Sequence, residues 1–224
     1  MIKAILFDMD GILFDSEYYY MEGTKDQLQE LGYTGPTEDL YSIIGITYEA
    51  TFDYLAGLLD NRYSAKELMD KNDDYFLNKH PINFKEIMFP GLKEELDKLK
   101  EMGIRMTVCS SSSEELIDKC LNEMEIESYF EYKISSENVV RPKPHGDVYL
   151  SALKKLGLKK EECIVYEDSD LGIQAGKDAG IYTVARKDDR FGQKQNQADK
   201  IVKDIQELTN WIREENSHAR SDEN

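Results

Sequence analysis

AILFDMDGILFDSE, residues 4–17, sets a run of apolar side chains directly against two aspartates, Asp8 and Asp10. Four apolar residues in a row, closed by polar ones, predict a short strand buried on both faces. Such a strand has no structural need for carboxylates at its exit, so the two acids call for a chemical explanation. Three more segments have the same form: Arg105–Cys109, Cys163–Tyr166 and Tyr182–Ala185. A weaker one lies near Ile134. Between them, apolar residues recur at helical spacing: Leu92, Leu96 and Leu99, then Leu116, Cys120 and Leu121, then Val148, Ala152, Leu153 and Leu156. Strands alternating with helices of this length predict an α/β, Rossmann-like core, a parallel sheet with helices on both faces. Ligands of such sheets bind beyond the carboxyl ends of the strands.

From Ser16 to Lys85 the pattern changes. The stretch is rich in Tyr, Glu, Asp, Leu and Met, keeps helical spacing and offers no convincing strand, while Gly32, Gly35–Pro36 and Gly45 divide it into several helices. Alternation resumes after the hinge-like MFPGL, Met88 to Leu92. The expected organisation is a core of residues 1–15 and 86–224, with an α-helical domain of residues 16–85 inserted after the first strand.

Composition narrows the function classes. With 224 residues, 40% apolar and 33% charged, the chain can bury a sizeable core. A net charge of −17 excludes a nucleic-acid partner, since phosphate contacts need clustered Lys and Arg. A small anion can still bind, through a local nest of cations or a metal. The three cysteines, Cys109, Cys120 and Cys163, match no metal spacing and read as reduced core thiols. No apolar run approaches membrane-spanning length and MIKAILFD lacks a signal peptide's pattern, so a cytoplasmic protein with no membrane partner, and a monomer, is expected.

In a parallel sheet the residues following each strand gather on one edge. In order they are Asp8 and Asp10, Ser110 and Ser111, and Glu167 and Asp168, with Lys143 of RPKPHGD arriving after the weaker strand. Carboxylates crowded this way repel one another unless a cation joins them, and a hard divalent ion such as Mg2+ suits oxygen ligands. An aspartate can then take a phosphoryl group covalently, and a second carboxyl two residues on can move the protons. Each motif alone has a plainer use. Asp-x-Asp is commonly a turn, the serine run offers capping boxes at Ser112 with Glu115 or Ser111 with Glu114, and an acid after a strand often caps a helix. Gly172 and Gly176 suit close helix–sheet packing. Lys143 stands apart because the flanking Pro142 and Pro144 restrict its backbone.

Together, DMDGILFDSE, VCSSSS, KPHGDVYL and VYEDSDLGIQAGKDAG resemble the four motifs of the haloacid dehalogenase (HAD) superfamily, in family order. Within it the chain resembles the β-phosphoglucomutase-like phosphatases, whose type 1 cap the 16–85 insert is similar to. The resemblance implies Asp8 as nucleophile and Asp10 as general acid/base. It also implies Ser110, with the Ser111 amide, and Lys143 on the phosphoryl group. The implied Mg2+ ligands are Asp8, the Asp10 backbone carbonyl, Glu167 and Asp168. Substrate choice then falls to the cap. IGITYEAT, Ile44 to Thr51, resembles the mutase branch's specificity loop with Gly45 as its glycine, and Lys71 of KNDDY matches a substrate-contacting lysine. Yet Tyr48 stands where the mutase has a phosphate-gripping arginine, and Tyr20 where it has a histidine. A tyrosine cannot reproduce an arginine's two-pronged hold on phosphate. The expectation is therefore a phosphatase of a small phosphorylated metabolite, a sugar or polyol phosphate, with a sugar phosphate mutase as the alternative. The cap tyrosines Tyr18, Tyr19, Tyr20 and Tyr48 either contact a polyol or pack between helices.

Overall fold

The computed structural model describes residues 1–43, 48–190 and 194–221, without the side chains of residues 48, 220 and 221. Among these, the strands are β1 (Ala4–Phe7), β2 (Arg105–Ser110), β3 (Tyr132–Ser135), β4 (Cys163–Glu167), β5 (Tyr182–Arg186) and β6 (Lys200–Val202). The helices are α1 (Ser16–Glu30), α2 (Tyr48–Leu58), α3 (Ala65–Asp74), α4 (Phe84–Ile87), α5 (Leu92–Glu101), α6 (Glu114–Glu123), α7 (Asp147–Leu156), α8 (Asp170–Asp178) and α9 (Ile205–Ser221). Contacts divide the chain into two compact units, Met1–Asp15 with Phe84–Asn224, and Ser16–Asn83.

The first unit is the predicted α/β architecture. One six-stranded sheet, all parallel, runs β3-β2-β1-β4-β5-β6. Every residue of β1 and of β4 is buried, which is why both read as unbroken apolar runs. One face packs Ala4, Leu6, Cys109 and Val165 against Tyr149 and Ala152 of α7 and Ala175 of α8. On the other, the Phe7 ring meets Phe130 and Tyr166 edge-on at 5.7 and 6.0 Å, each pair adding about 1 kcal/mol beyond its area. Of the helical stripes, Leu92, Leu96 and Leu99 are buried as predicted. In α6 it is Ile117 that joins Cys120 and Leu121 inside, while Leu116 is exposed. Cap position explains the difference, because Ser113 starts that helix and sets its phase. Neither predicted capping box forms; the Ser113 hydroxyl accepts from the Leu116 amide at 3.2 Å.

Strand order fixes where a ligand can sit. The chain builds outward from β1 through β2 to β3, then returns to the other side of β1 with β4. The crevice beyond the β1 and β4 carboxyl ends lies at that reversal. Register brings the acids together there: Phe7 pairs with Tyr166, and the Asp8 amide donates to the Tyr166 carbonyl at 2.9 Å, so Asp8 and Glu167 leave the sheet side by side.

The second unit is helical, with no strand among its described residues. Ser64 and Glu67 close a capping box at the start of α3. Tyr19, buried in α1, stacks on the His80 ring at 4.8 Å and its hydroxyl donates to the His80 carbonyl. This tyrosine therefore packs. Tyr20 is half exposed, meets Phe76 edge-on, and lines a cavity of about 680 Å³ with Phe52, Leu55, Asn72 and Leu77. Tyr18 is exposed. No described helix is long and apolar enough to cross a membrane.

Candidate active site

Lys143 is the centre of the site. Only 5% of its side chain is exposed, and its ammonium donates to Asp8 Oδ1 at 2.5 Å and to Glu167 Oε1 at 2.7 Å. The chain brings it there across the sheet edge from the loop before α7. That helix also contributes Tyr149, whose ring lies 5.1 Å from the Lys143 ammonium and whose hydroxyl donates to Glu167 Oε1 at 3.1 Å. Burial works against a charged lysine here, but Asp8 and Glu167 outweigh it and hold the proton far above the ordinary lysine range.

The two carboxylates are treated differently by their surroundings. Glu167 Oε2 accepts from the Asp168 amide at 2.8 Å, the Ser169 amide at 3.0 Å and the Ser169 hydroxyl at 3.1 Å. Burial pushes its pKa up, yet Lys143 and these donors prevail and hold it below the usual carboxylate range. Asp8 is pushed the other way, to about 8. Burial dominates, Lys143 opposes it, and Glu167 and Asp10 add repulsion. The turn around Glu167 depends on Gly172: a Cβ there would stand 1.5 Å from Glu167 Oε1. Gly172 therefore clears room for this carboxylate, beyond the helix–sheet contact its position in the sequence suggests.

Asp8, Glu167 and Asp168 each offer a carboxylate oxygen within 4.8 Å of the others. Asp168 lies against Gly11, whose φ of +70° is natural to glycine and where a Cβ would fall 2.0 Å from Asp168 Oδ2. A buried, all-oxygen donor set with more negative charge than its one lysine balances fits a hard divalent cation. The Asp10 carboxylate, half-buried, accepts from the Ser112 hydroxyl at 3.3 Å.

Ser110 is buried at the end of β2, and its Oγ accepts from the Ser112 amide at 3.0 Å; Ser111 is exposed. Ser135 donates to the Ser112 carbonyl at 2.7 Å. Capping falls to a later serine, as expected, but to Ser113 rather than to either predicted box, and Ser112 reaches Asp10 instead. Tyr149 and Ser112 went unrecognised as site residues, although both lie inside quoted motifs. Cys109 is fully buried and its thiol is pushed up by burial, as a core residue. His145 is exposed.

In the helical unit, Lys71 is exposed on α3 with its ammonium 5.5 Å from the Tyr63 ring centre, and its carbonyl accepts from Gln27 at 2.8 Å. Gly45 lies outside the described residues. Tyr48 opens α2, and its side chain is likewise outside them.

The family model described as haloacid dehalogenase-like hydrolase matches residues 5–186, spanning every residue of this acid–lysine cluster. The chain belongs to that family. Among similar haloacid dehalogenase-like proteins is a phosphorylated carbohydrates phosphatase of Thermotoga maritima, 29% identical over 186 residues, covering 80% of this chain and 82% of that one. Hexitol phosphatase B of Escherichia coli is 28% identical over 198 residues, covering 85% and 88%. A crystal structure of a putative β-phosphoglucomutase from Thermotoga maritima matches with a TM-score of 0.79 and 25% identity, over 95% of this chain and 99% of that one.

Proposed function

We propose that this chain is a divalent-cation-dependent phosphatase that hydrolyses a small phosphomonoester, a sugar or polyol phosphate, through a phosphoaspartate on Asp8. The observation that carries this reading is the buried Asp8–Lys143–Glu167 cluster beside Asp168, which sets three carboxylates and one lysine on a single sheet edge. The relatives named as phosphatases of phosphorylated carbohydrates and hexitols support the substrate class.

The residues divide the work as follows. Asp8 attacks phosphorus, forming the aspartyl–phosphate bond as the bond to the substrate oxygen breaks. Asp10 gives its proton to that oxygen, and the alcohol leaves. Asp10 then takes a proton from water attacking the phosphoaspartate, which releases inorganic phosphate and restores Asp8. Ser112 orients Asp10 through its hydroxyl. Ser110 and Lys143 bind the phosphoryl oxygens, and Lys143 keeps Asp8 aligned. Asp8, the Asp10 carbonyl and Asp168 would hold Mg2+, with Glu167, which balances Lys143, completing the acidic set. When bound, the ion neutralises charge on the transferring group. In the cap, Gly45, Tyr48 and Lys71 contribute to substrate choice.

A mutase is the second reading, favoured by the likeness to a putative β-phosphoglucomutase. The tyrosines at 20 and 48 weigh against it, since holding a bisphosphate needs the arginine fork. One experiment separates them: a panel of phosphorylated metabolites with Mg2+, read as free phosphate and as isomerised sugar phosphate, wild type beside Asp8→Asn. Phosphate release that needs Asp8 supports the phosphatase. Isomerisation with little free phosphate supports the mutase, and turnover retained in Asp8→Asn removes both.

A further inference from the structure

The end of β5 supplies no residue to the four motifs, yet its side chains reach the loops that carry them. Arg186 Nε donates to the Gly11 carbonyl at 2.5 Å, and its guanidinium lies 4.3 Å over the Phe89 ring. Its Nη2 donates to Asp188 at 3.0 Å. Gln195, 7% exposed, donates from one amide nitrogen to two carbonyls, those of Asp168 and Arg186, each at 2.6 Å. Its Oε1 accepts from the Asp188 amide at 3.4 Å. Asp188 is in turn held by Arg190, which forks onto Asp15 at 2.6 and 3.0 Å.

These bonds end on the backbone of the two turns that would hold the cation. The Gly11 carbonyl follows the Asp10 peptide directly, and the Asp168 carbonyl belongs to a ligand. Gly11 Cα and the Asp168 carboxylate are in close approach, so a shift of either turn moves the other. Each turn has bonds of its own, the Gly11 amide to the Phe14 carbonyl at 3.0 Å and the Asp168 and Ser169 amides to Glu167 Oε2, but none of them ties one turn to the other. A carbonyl buried beside the sheet must find a donor, and here the donors are the Arg186 and Gln195 side chains.

We infer that Arg186 and Gln195 are positioning residues of the cation site, clamping the Gly11 and Asp168 turns at the separation that divalent-ion binding requires. The inference rests on the cation-dependent reading above. Groups that orient metal ligands typically change metal affinity about 10–100-fold when lost. Gln195→Met keeps the volume and removes both donated bonds; Arg186→Lys keeps the charge but not the fork. Each weakens divalent-ion binding at least tenfold, and saturating Mg2+ restores kcat with the substrate KM unchanged.

The test is Mn2+ binding followed by electron paramagnetic resonance on folded protein, with thermal melts of the same samples. Wild type, Gln195→Met, Arg186→Lys, Asp168→Asn and Arg105→Met are compared. Arg105 serves as the stability control, since it bonds Glu131 and the Leu156 carbonyl at the far end of the strands. Weakened Mn2+ binding in Gln195→Met and Arg186→Lys, with Arg105→Met less stable but unchanged in affinity, supports the inference. If Asp168→Asn loses the ion while both clamp variants bind within twofold of wild type, the clamp is overturned and the cation site stands. A wild type that binds no Mn2+ overturns both. Should Gln195→Met fail to fold, Arg186→Lys alone decides.

Discussion

Replacing Lys143 by methionine tests whether one buried ammonium holds the site together. The change keeps the packing against Tyr149 but deletes the donor shared by Asp8 and Glu167 at 2.5 and 2.7 Å. Removing one partner of a buried ion pair costs about 3–5 kcal/mol, because the survivor is left as an uncompensated charge. For a chain of this size each kcal/mol lowers Tm by about 2–4 °C, so a drop of about 6–20 °C is expected at pH 8 in EDTA. The pH dependence follows from the direction of the shifts. With Lys143 present, Glu167 is depressed below its ordinary value, which stabilises the fold above the usual carboxylate range and is lost as pH falls through the depressed value. Without Lys143 the buried carboxyls keep their protons in the fold at pH values where the unfolded chain has given them up. That costs stability increasingly as pH rises. The gap between wild type and variant is therefore widest at pH 8 and narrows toward pH 5. Differential scanning calorimetry at both pH values checks it. A variant melting within about 2 °C of wild type at pH 8, or a gap independent of pH, would refute the reasoning.

Two smaller changes probe the frame around the acids. Gly11→Ala forces a Cβ onto Asp168 Oδ2 and a side chain into positive φ, so about 1–2 kcal/mol of strain and a loss of Mg2+ affinity by titration calorimetry are expected. Tyr149→Phe removes a hydrogen bond to a buried carboxylate and lowers stability by about 2 kcal/mol in urea unfolding, with metal affinity retained.

Much of this was legible in the sequence, for physical reasons that differ by element. Strands β1 and β4 are buried at every residue and β5 over its middle three, and burial on both sides leaves an apolar run that needs no partner to recognise. The three-residue edge strand β6 carries too little pattern, with Ile201 exposed, and went unseen. Asp8, Asp10, Lys143 and Asp168 stood out because parallel strands deliver their following residues to one edge. That a later serine caps α6 was readable, but which hydroxyl caps and which reaches Asp10 was not, since that depends on where the helix begins. Arg186 and Gln195 were invisible for a different reason: they act on backbone carbonyls more than a hundred residues and twenty-seven residues away, and a carbonyl has no letter in the sequence.

The most direct test is to stop the reaction during turnover and ask where the phosphoryl group is. Wild type mixed with a hydrolysed phosphoester and Mg2+ is quenched in acid within the first turnover, digested and weighed by mass spectrometry. The account predicts one added phosphoryl group on Asp8, absent without Mg2+ and absent in Asp8→Asn. Phosphate released at the full rate with Asp8 never modified, or with Asp8→Asn still turning over, would contradict it.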